Sequence, residues 1–126
     1  MTALLTANAI PLTNNFTTLV CGAINPVGDD DYFRITLGTP QTLIVERIKA
    51  DGTACDPAAP MSLTFFDAGG DMLANDDHGG TGGCASLDGL SGGPLQFLPP
   101  GDFYIRVKQT SDNIVIPAYT LRITSR

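Results

Sequence analysis

Phe33, Ile35 and Leu37 alternate with Tyr32, Arg34 and Thr36, so a strand over residues 31–37 turns one side to a core and the other to solvent. The same period returns in Phe103-Tyr104-Ile105-Arg106-Val107 and in Tyr119-Thr120-Leu121-Arg122-Ile123. Segments of this kind predict strands over 17–24, 31–37, 41–48, 61–66, 71–74, 95–97, 102–109 and 118–124, and no segment has a helical period. Between them lie turns with clear chemistry: Gly38-Thr39-Pro40, Asp67-Ala68-Gly69-Gly70 and Pro99-Pro100-Gly101-Asp102 combine residues that allow positive φ with residues that fix it. The pattern predicts an all-β domain whose strand number suits a jelly roll or a related sandwich. Residues 75–94, rich in Gly and Asp, form the longest irregular stretch, which a compact domain keeps only when it is functional or pinned.

Composition narrows the class. A chain of 126 residues builds one core, so a single domain over 1–126 is expected, with residues 1–16 as an N-terminal arm. Hydrophobic residues make up 43% and charged residues 16%, a balance that folds. No stretch is long enough to span a membrane. The net charge of −6 argues against nucleic acid, which needs a basic surface. The first residues lack a basic region and a long apolar run, so the chain is expected to be a mature form or an excised domain whose export signal lies outside it.

Four segments follow one another along the chain: Ala7-Asn8-Ala9-Ile10-Pro11-Leu12; Gly22-Ala23-Ile24 with Gly28-Asp29-Asp30-Asp31-Tyr32-Phe33; Leu63-Thr64-Phe65-Phe66-Asp67-Ala68-Gly69-Gly70 with Leu73-Ala74-Asn75-Asp76-Asp77; and Gly101-Asp102-Phe103-Tyr104-Ile105-Arg106-Val107. In this order they resemble the bacterial pre-peptidase C-terminal domain family, a group of secreted β-sandwich accessory modules related to collagenase collagen-binding domains. The resemblance implies a jelly-roll-like β-sandwich of about eight antiparallel strands, an extracellular location and no catalysis. It also raises calcium as a cofactor. Relatives bind calcium at an acidic N-terminal segment, but residues 2–17 carry no Asp or Glu here. The oxygen-rich candidates are instead Asp29, Asp30 and Asp31, and Asn75, Asp76 and Asp77. Without a metal, such residues cap turns by accepting from backbone amides.

Three cysteines are present. Cys55 and Cys84 flank the central hairpin; they are either two free thiols or a disulfide that tethers the long loop, and the resemblance favours the bridge, which would contribute about 3–4 kcal/mol on the loop-entropy model. Cys21, in a strand, is expected to be a buried inert thiol, with an intermolecular bridge as the alternative.

Arg34, Arg106, Lys108 and Arg122 take outward strand positions together with Tyr32 and Tyr104. If their strands share a sheet, they form a basic and aromatic face suited to a polymeric glycan, a protein substrate or an acidic partner; as cross-strand pairs they would simply keep the sheet soluble. Gly89-Leu90-Ser91-Gly92-Gly93 matches the G-x-S-x-G nucleophile pattern, but an all-β chain lacks the strand-to-helix elbow that this motif needs. His78 is the only histidine, which leaves neither a zinc site nor a triad its usual parts. Asn15-Phe16-Thr17 has the form of a glycosylation sequon. Two functions follow: a non-catalytic accessory or binding domain of a secreted bacterial protein, serving stabilisation, export or polymer binding; or a self-assembling subunit of an extracellular filament or surface layer whose N-terminal arm adds a strand to another copy.

Overall fold

The structure is a computed structural model that describes residues 8–10, 17–24, 30–48, 61–76, 84–89, 93–109 and 116–126. Nine strands run among them: β1 (Asn8–Ile10), β2 (Thr17–Ile24), β3 (Asp31–Leu37), β4 (Leu43–Ile48), β5 (Met61–Phe66), β6 (Met72–Asp76), β7 (Ser86–Asp88), β8 (Gly101–Gln109) and β9 (Ile116–Ser125). They form a five-stranded sheet in the order β1-β3-β8-β5-β6 and a four-stranded sheet in the order β2-β9-β4-β7. All pairings are antiparallel except β1 with β3, which is parallel.

Four of the pairings are nested. β5 pairs with β6, β4 with β7, β3 with β8 and β2 with β9, as though the chain were one long hairpin folded at the β5–β6 turn. Pairing of β8 with β5 and of β9 with β4 then rolls that ribbon into two facing sheets, the jelly-roll arrangement. The turn at the tip is set by Asp67, whose Oδ1 accepts from the backbone N–H of Gly69 at 3.0 Å and of Asp71 at 2.9 Å.

Alternation decides which residues face inward. Phe33, Ile35 and Leu37 of β3, Leu63 and Phe65 of β5, and Phe103, Ile105 and Val107 of β8 meet Leu43 and Val45 of β4 and Leu121 and Ile123 of β9 in one core. Phe65 and Phe103 stack with ring centroids 5.5 Å apart.

The expected segment at 95–97 is not a strand. Leu95 and Leu98 are both buried, so the chain between them turns, and Phe97 sits at φ 53°. The strand lies instead at Ser86–Asp88, within the stretch expected to be irregular, where Leu87 reaches the core. Of residues 1–16, expected as an N-terminal arm, Asn8–Ile10 lies along β3 of its own chain, and the others lie outside the described residues. Among the described residues no helix is long and apolar enough to cross a membrane.

Candidate functional site

The outward side of the five-stranded sheet gathers five of the six residues expected to form a binding face. Tyr32 lies opposite Arg106, and Arg34 opposite Tyr104, across the β3–β8 pairing. Lys108 continues the β8 row, opposite Ser62 of β5. The next strand supplies Thr64 opposite Arg106 and Phe66 opposite Tyr104. These two β5 residues face outward yet are buried, at 2% and 6% exposure, because larger neighbours lie over them. Arg106 is one of those neighbours. Its Nη2 donates to Thr64 Oγ1 at 3.3 Å, and its guanidinium carbon stands 5.6 Å from the centre of the Phe66 ring. A cation held over an aromatic ring and tied at one nitrogen has a restricted orientation, so little entropy remains to be lost when a ligand meets it.

Arg34, by contrast, is exposed, and it has no ion-pair partner among the described residues. Arg34 and Arg106 stand on adjacent strands one diagonal step apart, a separation of roughly 7–8 Å at the backbone. Two guanidinium groups at that spacing can take successive anionic groups of one extended chain. Below them Thr36 Oγ1 donates to Asp102 Oδ1 at 2.7 Å, which closes the polar row.

Arg122 does not belong to this face. It lies on β9 in the other sheet, where its Nε donates to Glu46 Oε1 at 2.7 Å across the β4–β9 pairing. The alternation placed it outward correctly, but only the sheet order reveals which outer face it occupies.

The acidic residues expected to hold calcium fall into two groups, one around Asp31 and one around Asp76. Asp29 and Asp77 lie outside the described residues. Asp31, on β3 next to the edge strand β1, faces inward and accepts a hydrogen bond from the Tyr119 hydroxyl of the opposite sheet at 2.5 Å. Asp76, on the edge strand β6, does the same: its Oδ2 accepts from Ser86 N–H of β7 at 2.8 Å. Asp31, Val107, Leu63 and Asp76 occupy one cross-strand row, so the two carboxylates stand about three strand spacings, roughly 14 Å, apart. Each ties one sheet to the other. Asn75 is exposed opposite Thr64, and Asp30 is half-buried. Among the described residues no three acidic, cysteine or histidine side chains come close enough to share a metal ion.

Cys21 departs from expectation. It is an exposed free thiol, because it falls on the outward side of β2, with its sulfur 3.9 Å from Thr120 Oγ1. Cys84 is buried at 5% exposure, whereas Cys55 lies outside the described residues, so the bridge between them stands as a proposal. Alkylation of the unreduced protein followed by peptide mapping is expected to recover a Cys55–Cys84 cross-linked peptide and an alkylated Cys21. Recovery of Cys55 and Cys84 as separate alkylated peptides would refute the bridge. His78 and Ser91 also lie outside the described residues. Gly89, the first residue of the G-x-S-x-G match, has a packing role: a side chain there would meet Leu43 O at 2.5 Å and Leu95 O at 2.6 Å.

One exposed feature carried no sequence signal. Phe97 is 76% exposed and is the non-glycine residue with positive φ among those described. Its backbone N–H donates to Thr42 Oγ1 at 3.1 Å, and the Gln41–Leu98 bridge pins the next residue. An alternating Leu-Gln-Phe reads as a strand until the turn is seen.

No family model matches the chain, and no curated protein does. Solved structures do. The pre-peptidase C-terminal domain of collagenase from Bacillus anthracis is similar with a TM-score of 0.58 at 14% identity, over 95% of this chain and 94% of that one. The periplasmic inhibitor of g-type lysozyme from Aeromonas hydrophila aligns with a TM-score of 0.63 at 12% identity, over 96% of each chain. The Yersinia pseudotuberculosis-derived mitogen aligns with a TM-score of 0.58 at 13% identity, over 87% of this chain and 86% of that one. The chain has the β-sandwich fold of a pre-peptidase C-terminal domain. At these identities the likeness establishes fold alone.

Proposed function

We propose that this domain is a non-catalytic binding module of an extracellular or periplasmic bacterial protein, and that it takes an anionic polymer on the outward side of the five-stranded sheet. The observation that carries the reading is Arg34: an exposed arginine without an ion-pair partner among the described residues, on a chain of net charge −6, beside an Arg106 already oriented by Thr64 and Phe66. Tyr32 and Tyr104, interleaved with the two arginines, supply flat apolar surface against which sugar rings or peptide planes can lie. Two neighbours are consistent with such a role, one being an accessory domain of a collagenase and the other an inhibitor rather than a catalyst. Calcium remains a proposal restricted to sites that draw on Asp29 or Asp77.

The test uses polygalacturonate as an acidic polymer and dextran as a neutral one, with binding followed by calorimetry at low and high salt. Polygalacturonate is expected to bind and to weaken with salt, whereas dextran is not. Arg34→Ala and Arg106→Ala are each expected to weaken binding about tenfold or more, since a hydrogen bond to a charged group contributes about 1.5–3 kcal/mol. Arg122→Ala, on the other sheet, serves as the unaffected control. Equal binding of the two polymers, or an Arg34→Ala protein that binds as well as the parent, would overturn the assignment.

A further inference from the structure

The row of outward residues that starts at Arg34 continues across the five-stranded sheet. Arg34 lies opposite Tyr104 on β8, Tyr104 opposite Phe66 on β5, and Phe66 opposite Met72 on β6. The last step depends on the bulge in the β5–β6 pairing, which passes over Leu73 between Ala74 and Met72. Leu73 and Ala74 both pack against the core, so Met72 comes to stand on the outer side beside Phe66, where it is 60% exposed.

This end of the face differs from the end that carries the arginines. Phe66 is buried with the Arg106 guanidinium over its ring, so that ring face is closed to a stacking sugar. Tyr104 is half-buried and Met72 is open, and a thioether on three rotatable bonds adapts to apolar groups of varied shape. Thr64 and Asn75, opposite each other in the next row, are uncharged. The outer face is therefore cationic towards β3 and apolar towards β6.

We infer that the ligand of this face is an acidic polypeptide, crossing the strands in extended form with carboxylate side chains at Arg34 and Arg106 and a large apolar side chain on Met72 and Tyr104. The inference rests on the binding function proposed above and narrows its anionic polymer to one class. Charge complementarity calls for the carboxylates, since two arginines share this face on a chain of net charge −6. Spacing calls for the apolar group. Arg34 and Met72 stand three strand spacings apart, roughly 14 Å, and side chains on one side of an extended chain recur about every 7 Å. The acidic and the apolar residue of the ligand are thus about four positions apart. A polyuronate carries a carboxylate on every unit, so it engages the arginines but sets charge against the methionine.

The experiment compares poly-L-glutamate with a random copolymer of glutamate and tyrosine of the same length, both titrated against the full chain in a calorimeter at one salt concentration. The copolymer is expected to bind about tenfold more tightly although it carries fewer charges, because a buried apolar side chain outweighs the lost carboxylates. Met72→Ser changes an exposed position and is expected to keep the circular dichroism of the parent. It is expected to abolish the preference for the copolymer while leaving poly-L-glutamate binding unchanged, and Met72→Leu to retain the preference. Equal affinity of the parent for the two polymers would overturn the polypeptide assignment and leave the anion-binding face standing. So would a Met72→Ser protein that still prefers the copolymer. Failure of either polymer, and of polygalacturonate, to bind would overturn the face itself and this assignment with it.

Discussion

Gly89→Ala is expected to lower the free energy of unfolding by about 3 kcal/mol, the upper part of the range for overpacking a tightly packed interior. The methyl group would stand 2.5 Å from Leu43 O and 2.6 Å from Leu95 O. Neither atom can retreat cheaply. Leu95 O already accepts from Leu43 N–H at 3.0 Å, and Leu43 opens the central strand β4, which pairs with β9 and β7 on either side. A flexible side chain would swing aside, but these two backbone carbonyls lie on segments tied together by the Leu43 N–H to Leu95 O bond, and they move only with those segments. Urea unfolding of the variant, with the slope compared with that of the parent, measures the effect; a loss under 1 kcal/mol would mean that the 89–95 segment shifts freely.

Removing the Asp31–Tyr119 contact is the second large expectation. Asp31→Ala is expected to cost about 2–3 kcal/mol, because the buried Tyr119 hydroxyl loses this charged acceptor, and Tyr119→Phe about 1–2 kcal/mol. The two changes should be non-additive: once the hydroxyl is gone, Asp31→Ala loses the part of its effect that passes through this contact. Additive losses in this double-mutant cycle would show that the two groups contribute independently. Gly22 belongs to the same arrangement. A Cβ there would lie 2.5 Å from Tyr119 Cζ and 2.9 Å from Cε2, so the hydroxyl end of the ring lies against the β2 backbone only because residue 22 has no side chain. The Gly-Ala-Ile and Asp-Tyr-Phe segments, which read as separate motifs, thus meet on one tyrosine from the far end of the chain.

That meeting marks the limit of what the sequence displays. Strands with one buried face announce themselves: β2, β3 and β5 lie where the two-residue period put them, because a one-residue slip would expose every core side chain. β7 carries a single core residue in a three-residue strand, too short for any period to register. The Leu95-Gln96-Phe97 alternation misleads for the opposite reason, since two buried leucines three positions apart require a turn and not a strand. The acidic residues were visible, but not their partners. Asp31 has the same parity as Phe33, Ile35 and Leu37, so counting by twos already turns it inward, away from a solvent-facing loop site. What parity cannot give is the residue on the opposite sheet. Arg122 makes the same point on the outer surface, where its parity is right and its sheet depends on pairings that join distant parts of the chain.

The nested order of strand pairs also dictates a sequence of events. Among the described strands only the β5–β6 pair is local, closed by the Asp67-capped turn, while β2 and β9 bring together residues as far apart as Thr17 and Thr124, 107 positions away. Loop-closure entropy makes each outer pair affordable only after the inner one has formed, so the ribbon zips outward from its tip and folds on the slow timescale of long-range β topologies. Both sheets wait for late strands: β8 bridges β3 to β5, and β9 bridges β2 to β4. During synthesis the first two-thirds of the domain therefore leaves the ribosome with its central strands missing, so that β3 and β5 lack their β8 neighbour and β2 and β4 lack their β9 neighbour. A nascent chain in that condition is a natural client for a holding chaperone until its last strand emerges.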